Sequence, residues 1–112
     1  VKYIHPNNPI LMLYRLYSSS GNTLGVENYL GYFEIEANGH FSRYVEIRAD
    51  GTAMRYNQSH DVDHFGQLPE GQWDEAEATK SEYGVVVPIT AELFEAVWRK
   101  TRCDNDQFFT AE

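Results

Sequence analysis

Internal disulfides are excluded in this chain, because Cys103 is its only cysteine. A lone thiol fits a reducing compartment, so the cytoplasm is the expected location. Positive charge is also scarce: 9 Lys and Arg stand against 17 Asp and Glu, a net charge of −8. Most of such a surface repels a phosphate backbone or an anionic membrane, so neither nucleic acid nor a bilayer is expected as partner. The charge favours a basic protein instead. No apolar run approaches the ~18–20 residues of a membrane span. The run 10–17 is short and contains Arg15, which makes it a strand rather than a signal peptide. Phosphate-binding glycine loops are missing, and the serines at 18–20 lack the strand-turn-helix setting of a nucleophile elbow.

What is present is a foldable core. Hydrophobic residues make up 42% and aromatics 14% of 112 residues, enough for one domain and too rich for disorder. The 8 tyrosines and 6 phenylalanines favour strands, since rings pack well on a pleated surface. After the strand 10–17, the serine- and glycine-rich stretch from Ser18 to Asn22 reads as loop. Residues 29–36 alternate, with Phe33 and Ile35 expected inward and Glu34 and Glu36 outward. Asn38-Gly39 and Asp50-Gly51 are hairpin signals, because both tolerate positive φ. They join strands at 41–49 and 52–57 into a three-stranded meander over 29–57. Residues 83–87 supply a further strand ending at Pro88. Thr90 is placed to cap a helix with Glu92 in its first turn and Arg99, Lys100 and Arg102 near its end. Leu93, Phe94, Val97, Trp98 and Thr101 follow the spacing of one covering face.

The expected fold is therefore α+β: an antiparallel sheet of four to five strands with one C-terminal helix packed on one face. Phe33, Ile35, Val45, Ile47, Met54, Tyr56, Val85, Val87, Phe94, Val97 and Trp98 form the expected core. Tyr32, Tyr44, Glu46, Arg48 and Arg55 fall on outward positions by period, and Tyr and Arg there are suited to an interface.

Residues 58–81 carry no sustained period. From Asp61 to Glu82, seven carboxylates (Asp61, Asp63, Glu70, Asp74, Glu75, Glu77, Glu82) are opposed only by Lys80, a net of −6. Most of the excess charge thus sits in one segment, with Trp73 inside it as core plug or partner anchor. The sequence Ser59-His60-Asp61-Val62-Asp63-His64 also gathers imidazoles and carboxylates, which are good zinc ligands. A small metal-dependent hydrolase using His60, Asp61, Asp63 and His64 is the alternative that this cluster raises. Cys103 sits beyond a helix C-terminus and reads as an exposed bystander thiol. No cofactor is expected.

The chain resembles a family of small, uncharacterised bacterial domains. The matching residues are His5 and Pro9; Leu13-Tyr14; Arg43, Val45-Glu46-Ile47 and Asp50-Gly51; and Phe94-Glu95-Ala96-Val97-Trp98, about half the chain. Residues 18–28 look like an insertion relative to that pattern, and 58–81 do not follow it. The resemblance implies an immunity-like protein encoded beside a bacterial toxin, with no catalytic residues. The expected partner-binding set is Tyr32, Tyr44, Glu46, Arg48, Asp61, Asp63, Glu70, Trp73, Asp74, Glu75 and Glu77.

Overall fold

A computed structural model describes residues 12–19, 28–80 and 84–109. In chain order these form β1 (Leu13–Ser19), β2 (Tyr29–Ile35), β3 (Phe41–Arg48), β4 (Ala53–Asn57), β5 (Val62–Asp63), β6 (Gly66–Gln67), α1 (Glu75–Thr79), β7 (Gly84–Pro88) and α2 (Ala91–Lys100), with a closing 3-10 turn, Asp106–Phe109. Five strands make one antiparallel sheet in the order β4-β3-β2-β1-β7. The fold is α+β, and the meander is the expected one. Gly39 and Gly51 turn its two hairpins at φ of 92° and 93°. The N-terminal residues His5, Pro9, Ile10 and Leu11 lie outside the described residues, as does Tyr83.

Local composition misjudged the end of β1. Ser18 and Ser19 are strand residues, paired to Val85 and Gly84 on one side, with Ser18 also opposite Leu30 on the other. Ladders on both flanks override the preference of serine for loops. Gly84 is required where β7 begins, since a Cβ there would lie 2.5 Å from the Ser18 carbonyl oxygen.

α2 forms as its caps dictate. The Thr90 side chain accepts a hydrogen bond from the Leu93 N–H, Glu92 sits in the first turn, and Arg99 and Lys100 sit in the last. Phe94 and Trp98, four residues apart, are its buried face. Leu93, expected on that face, is exposed.

The main correction concerns the sheet, which has a core on each side. Tyr32, Val45 and Arg55 pair across strands and share the α2 side, together with Ala53, Phe94, Trp98, Cys103 and Phe109. Phe33, Tyr44 and Tyr56 pair on the opposite side, where Met54, Phe65 and Leu68 join them. The expected inward row therefore mixed two faces. Tyr32 and Arg55 are not outward but on the helix side, and Tyr44 is buried. Alternation states only that neighbours point apart, and it cannot say which side is covered when both are. A register shift at Glu34/Ile35 adds to the ambiguity.

Glu34, expected in water, is only 6% exposed. It takes two hydrogen bonds from Arg43 at 2.7 and 2.8 Å and one from the Tyr14 hydroxyl at 3.0 Å. Burial alone would raise its pKa, but the Arg43 guanidinium outweighs that and holds it below the usual carboxylate value. Arg43 also donates to Glu95 on α2 at 2.8 Å. The pairing thus ties sheet to helix through a charge that the core satisfies.

Val85 and Val87, expected in the core, are 62% and 40% exposed. They share a face with Leu16 and Ser18, at the sheet edge farthest from β4. The helix packs mainly on β1 and β2.

Candidate partner-binding surface

The acidic segment is not a loose loop. After β4, Asn57 and His60 exchange backbone hydrogen bonds at 3.2 Å, and the β5–β6 hairpin follows. Its centre is Asp63, whose side chain is 5% exposed. The carboxylate accepts from the Tyr56 hydroxyl at 2.7 Å, from Asn105 Nδ2 at 3.0 Å and from the Phe65 N–H at 2.9 Å. His60 Nε2 lies 2.8 Å from its second oxygen. Burial would raise the Asp63 pKa, but these hydrogen bonds outweigh it and hold the group well below the usual carboxylate range.

Further along, Gln72 Nε2 donates to the Asn38 carbonyl at 2.7 Å and the Trp73 N–H to the Gly39 carbonyl at 2.8 Å. The Trp73 ring packs 5.5 Å from Phe33 and 6.4 Å from Phe41, as a plug on the sheet side opposite α2. Its indole N–H donates to Glu75 at 2.8 Å, and Arg15 donates to the same carboxylate at 3.0 Å. These two bonds lower the Glu75 pKa. The Asp74 side chain caps α1 by accepting from the Glu77 N–H. Asp63, Trp73, Asp74 and Glu75 therefore fix the segment's shape, while Asp61, Glu70 and Glu77 are exposed.

The strand-borne members of the expected set are joined to the same scaffold. Tyr44 donates its hydroxyl to Glu46 at 2.7 Å, Arg48 donates to the other Glu46 oxygen at 2.6 Å, and Arg48 reaches the Phe65 carbonyl at 3.2 Å. Burial, with Glu46 adding to it, raises the Tyr44 pKa and keeps the phenol neutral. Tyr32 lies half-buried against the α2-side core.

The four candidate metal ligands do not converge. His60 and Asp63 meet, but Asp61 and His64 are exposed, and the His64 ring lies against Phe65 at 4.1 Å. His60 stacks on Tyr56 and Phe108 at 6.0 and 4.4 Å, in an aromatic seat. No group of three or more His, Cys, Asp or Glu suited to a metal occurs among the described residues. An open groove of about 240 Å³ lies at the end of the sheet, lined by Ser18, Tyr29, Leu30, Ile47 and Arg48 among others. Among the described residues, neither carboxylate nor imidazole lines it.

Cys103 is a correction, since the thiol is buried at 5% exposure. Burial, and the neighbouring Asp106 carboxylate, push it up to about 12. The native protein is expected to react with an aromatic disulfide reagent at least ~100-fold more slowly than urea-unfolded protein, because attack needs exposed thiolate. Equal rates, followed by absorbance, would refute this burial.

The two sheet edges are treated differently, and no sequence signal marks the difference. At β4, Asp104 accepts from the Ala53 N–H at 2.9 Å and its own N–H donates to the Ala53 carbonyl at 2.7 Å. The Asn105 side chain serves Arg55, its Oδ1 accepting from the Arg55 N–H at 3.1 Å and its Nδ2 donating to the Arg55 carbonyl at 2.8 Å. The turn after α2 thus stands in for a sixth strand. At β7 no such cover is found among the described residues. Comparisons with protein-family models, with curated proteins and with solved structures find no match to this chain.

Proposed function

We propose that this protein is an immunity protein, which binds a basic, cytoplasm-acting bacterial toxin and occludes its active site. The observation that carries the reading is a rigid acidic ledge. Asp61, Glu70 and Glu77 face solvent on a segment whose shape is fixed by Asp63, Trp73, Asp74 and Glu75. Carboxylates displayed on a backbone of fixed shape steer a basic partner. The same charge disfavours nucleic acid and anionic membranes as partners. No helix among the described residues is long and apolar enough to cross a membrane. The resemblance of the β3 and α2 motifs to immunity-like domains points the same way.

Co-expression with the product of a neighbouring toxin-like gene should restore growth, and failure to rescue would sink the reading. For the ledge itself, the residues to reverse are Asp61, Glu70 and Glu77. Asp74 and Glu75 hold structure and would confound the result. The triple reversal to lysine is expected to slow association roughly tenfold at low salt and to flatten its salt dependence, with a smaller change in dissociation. Stopped-flow or surface-based kinetics at two salt concentrations measure both, and an unchanged salt slope would remove the ledge from the interface.

A further inference from the structure

We propose that the open edge of β7 receives an extended segment of the basic partner as a sixth strand, with α1 acting as its charge guide. This rests on the reading of the protein as a binder of a basic toxin, and it names the contact. The pairing of β7 with β1 fixes which backbone groups are available. The Ile89 N–H donates to the Tyr14 carbonyl at 3.1 Å, so residues 85, 87 and 89 point their backbone groups at β1. By alternation, Gly84, Val86 and Pro88 point theirs away from the sheet. The outward donors are the Gly84 and Val86 N–H groups, and the outward acceptors are the carbonyls of all three. No hydrogen bond covers them among the described residues. Pro88 loses nothing by lacking an N–H on that side, and it marks where an added ladder must end.

The two faces of this edge differ. On the α2 side, Val85 and Val87 are exposed. On the other side, α1 packs beside β7 and carries exposed Glu77. A strand laid along β7 would therefore present apolar residues beside the valines and basic ones toward α1, an alternating apolar and Lys/Arg sequence. A second copy of this chain fits worse. Antiparallel β7–β7 pairing about a two-fold axis would bring two acidic α1 helices onto the same face.

The test uses the full chain and, as probe, a blocked six-residue peptide alternating lysine and valine. Saturable binding should slow hydrogen exchange at the Gly84 and Val86 amides and leave β4 amides unchanged. Replacing the peptide lysines by glutamate should abolish it. Val86→Pro removes an outward N–H and no hydrogen bond to β1, so the fold should persist while peptide affinity falls roughly tenfold or more. Absence of binding at millimolar peptide, protection elsewhere, or self-association of the free protein that Val86→Pro abolishes would each overturn the proposal. The exchange measurement stands even if that variant fails to fold. A neighbouring toxin that binds Val86→Pro as tightly as the parent would sink the edge and leave the immunity reading intact. Peptide binding with no toxin rescue would do the reverse.

Discussion

Replacing Trp98 by alanine is expected to destabilise the protein by about 3–5 kcal/mol, the range for emptying a buried aromatic site. The ring is 2% exposed and lies at the centre of the α2-side core. Phe94 stacks near it at 6.4 Å and Phe109 meets it edge-on at 5.7 Å. The guanidinium carbons of Arg43 and Arg55 each sit 5.0 Å from its centroid. Alanine would leave a cavity and would also deprive two partly desolvated cations of the ring that accommodates them. Thermal unfolding should fall by roughly 12 °C or more. Trp73 remains as the fluorescent reporter. A midpoint within two or three degrees of the parent would contradict the packing of α2 on the sheet.

Asp63→Ala is expected to be as severe, about 3–5 kcal/mol, for a different reason. The variant leaves the Tyr56 hydroxyl, the Asn105 amide and the Phe65 N–H without their acceptor, and all three lie at or near a core. Asn105 also caps the β4 edge, so damage should spread from the β5–β6 hairpin to that edge. Asp63→Asn separates charge from shape and should cost roughly 1–2 kcal/mol at neutral pH. The sign of the pH dependence follows from the lowered pKa of Asp63 in the folded state. Its stabilisation is fully present above the unfolded carboxylate value near ~4 and is lost as pH falls below that toward the folded value. Glu34, Glu75 and Glu95, also lowered, add to the same acid limb. Urea titrations from neutral pH downward should therefore show the gap between parent and Asp63→Asn closing below pH ~4. A gap that stays constant would mean that the carboxylate's charge is not what the hairpin uses.

The sequence by itself determined the elements whose causes are local. Asn38-Gly39 and Asp50-Gly51 specify hairpins because their glycines accept the positive φ seen there. Thr90, Glu92 and the basic residues at 99 and 100 specify α2 because a helix end must satisfy its own backbone groups and dipole. The concentration of carboxylates between 61 and 82 was likewise plain from the sequence. Only the tertiary structure decided which of those carboxylates are held and which are displayed. Asp63 is buried by an asparagine 42 residues away, and Glu75 is held by an arginine 60 residues away. It also decided that Arg43, Arg55 and Glu34 belong inside, since their partners come from α2, the 3-10 turn and β1. Strand alternation could not assign Tyr44 or Val87 to a covered or an open face. That depends on how far a helix or strap extends over the sheet, and the cover is supplied by residues remote in the chain. The two edges, one capped by Asp104 and Asn105 and the other without such a cap among the described residues, differ for the same physical reason: a backbone group's partner is set by where distant chain returns, and a window of neighbouring residues does not contain it.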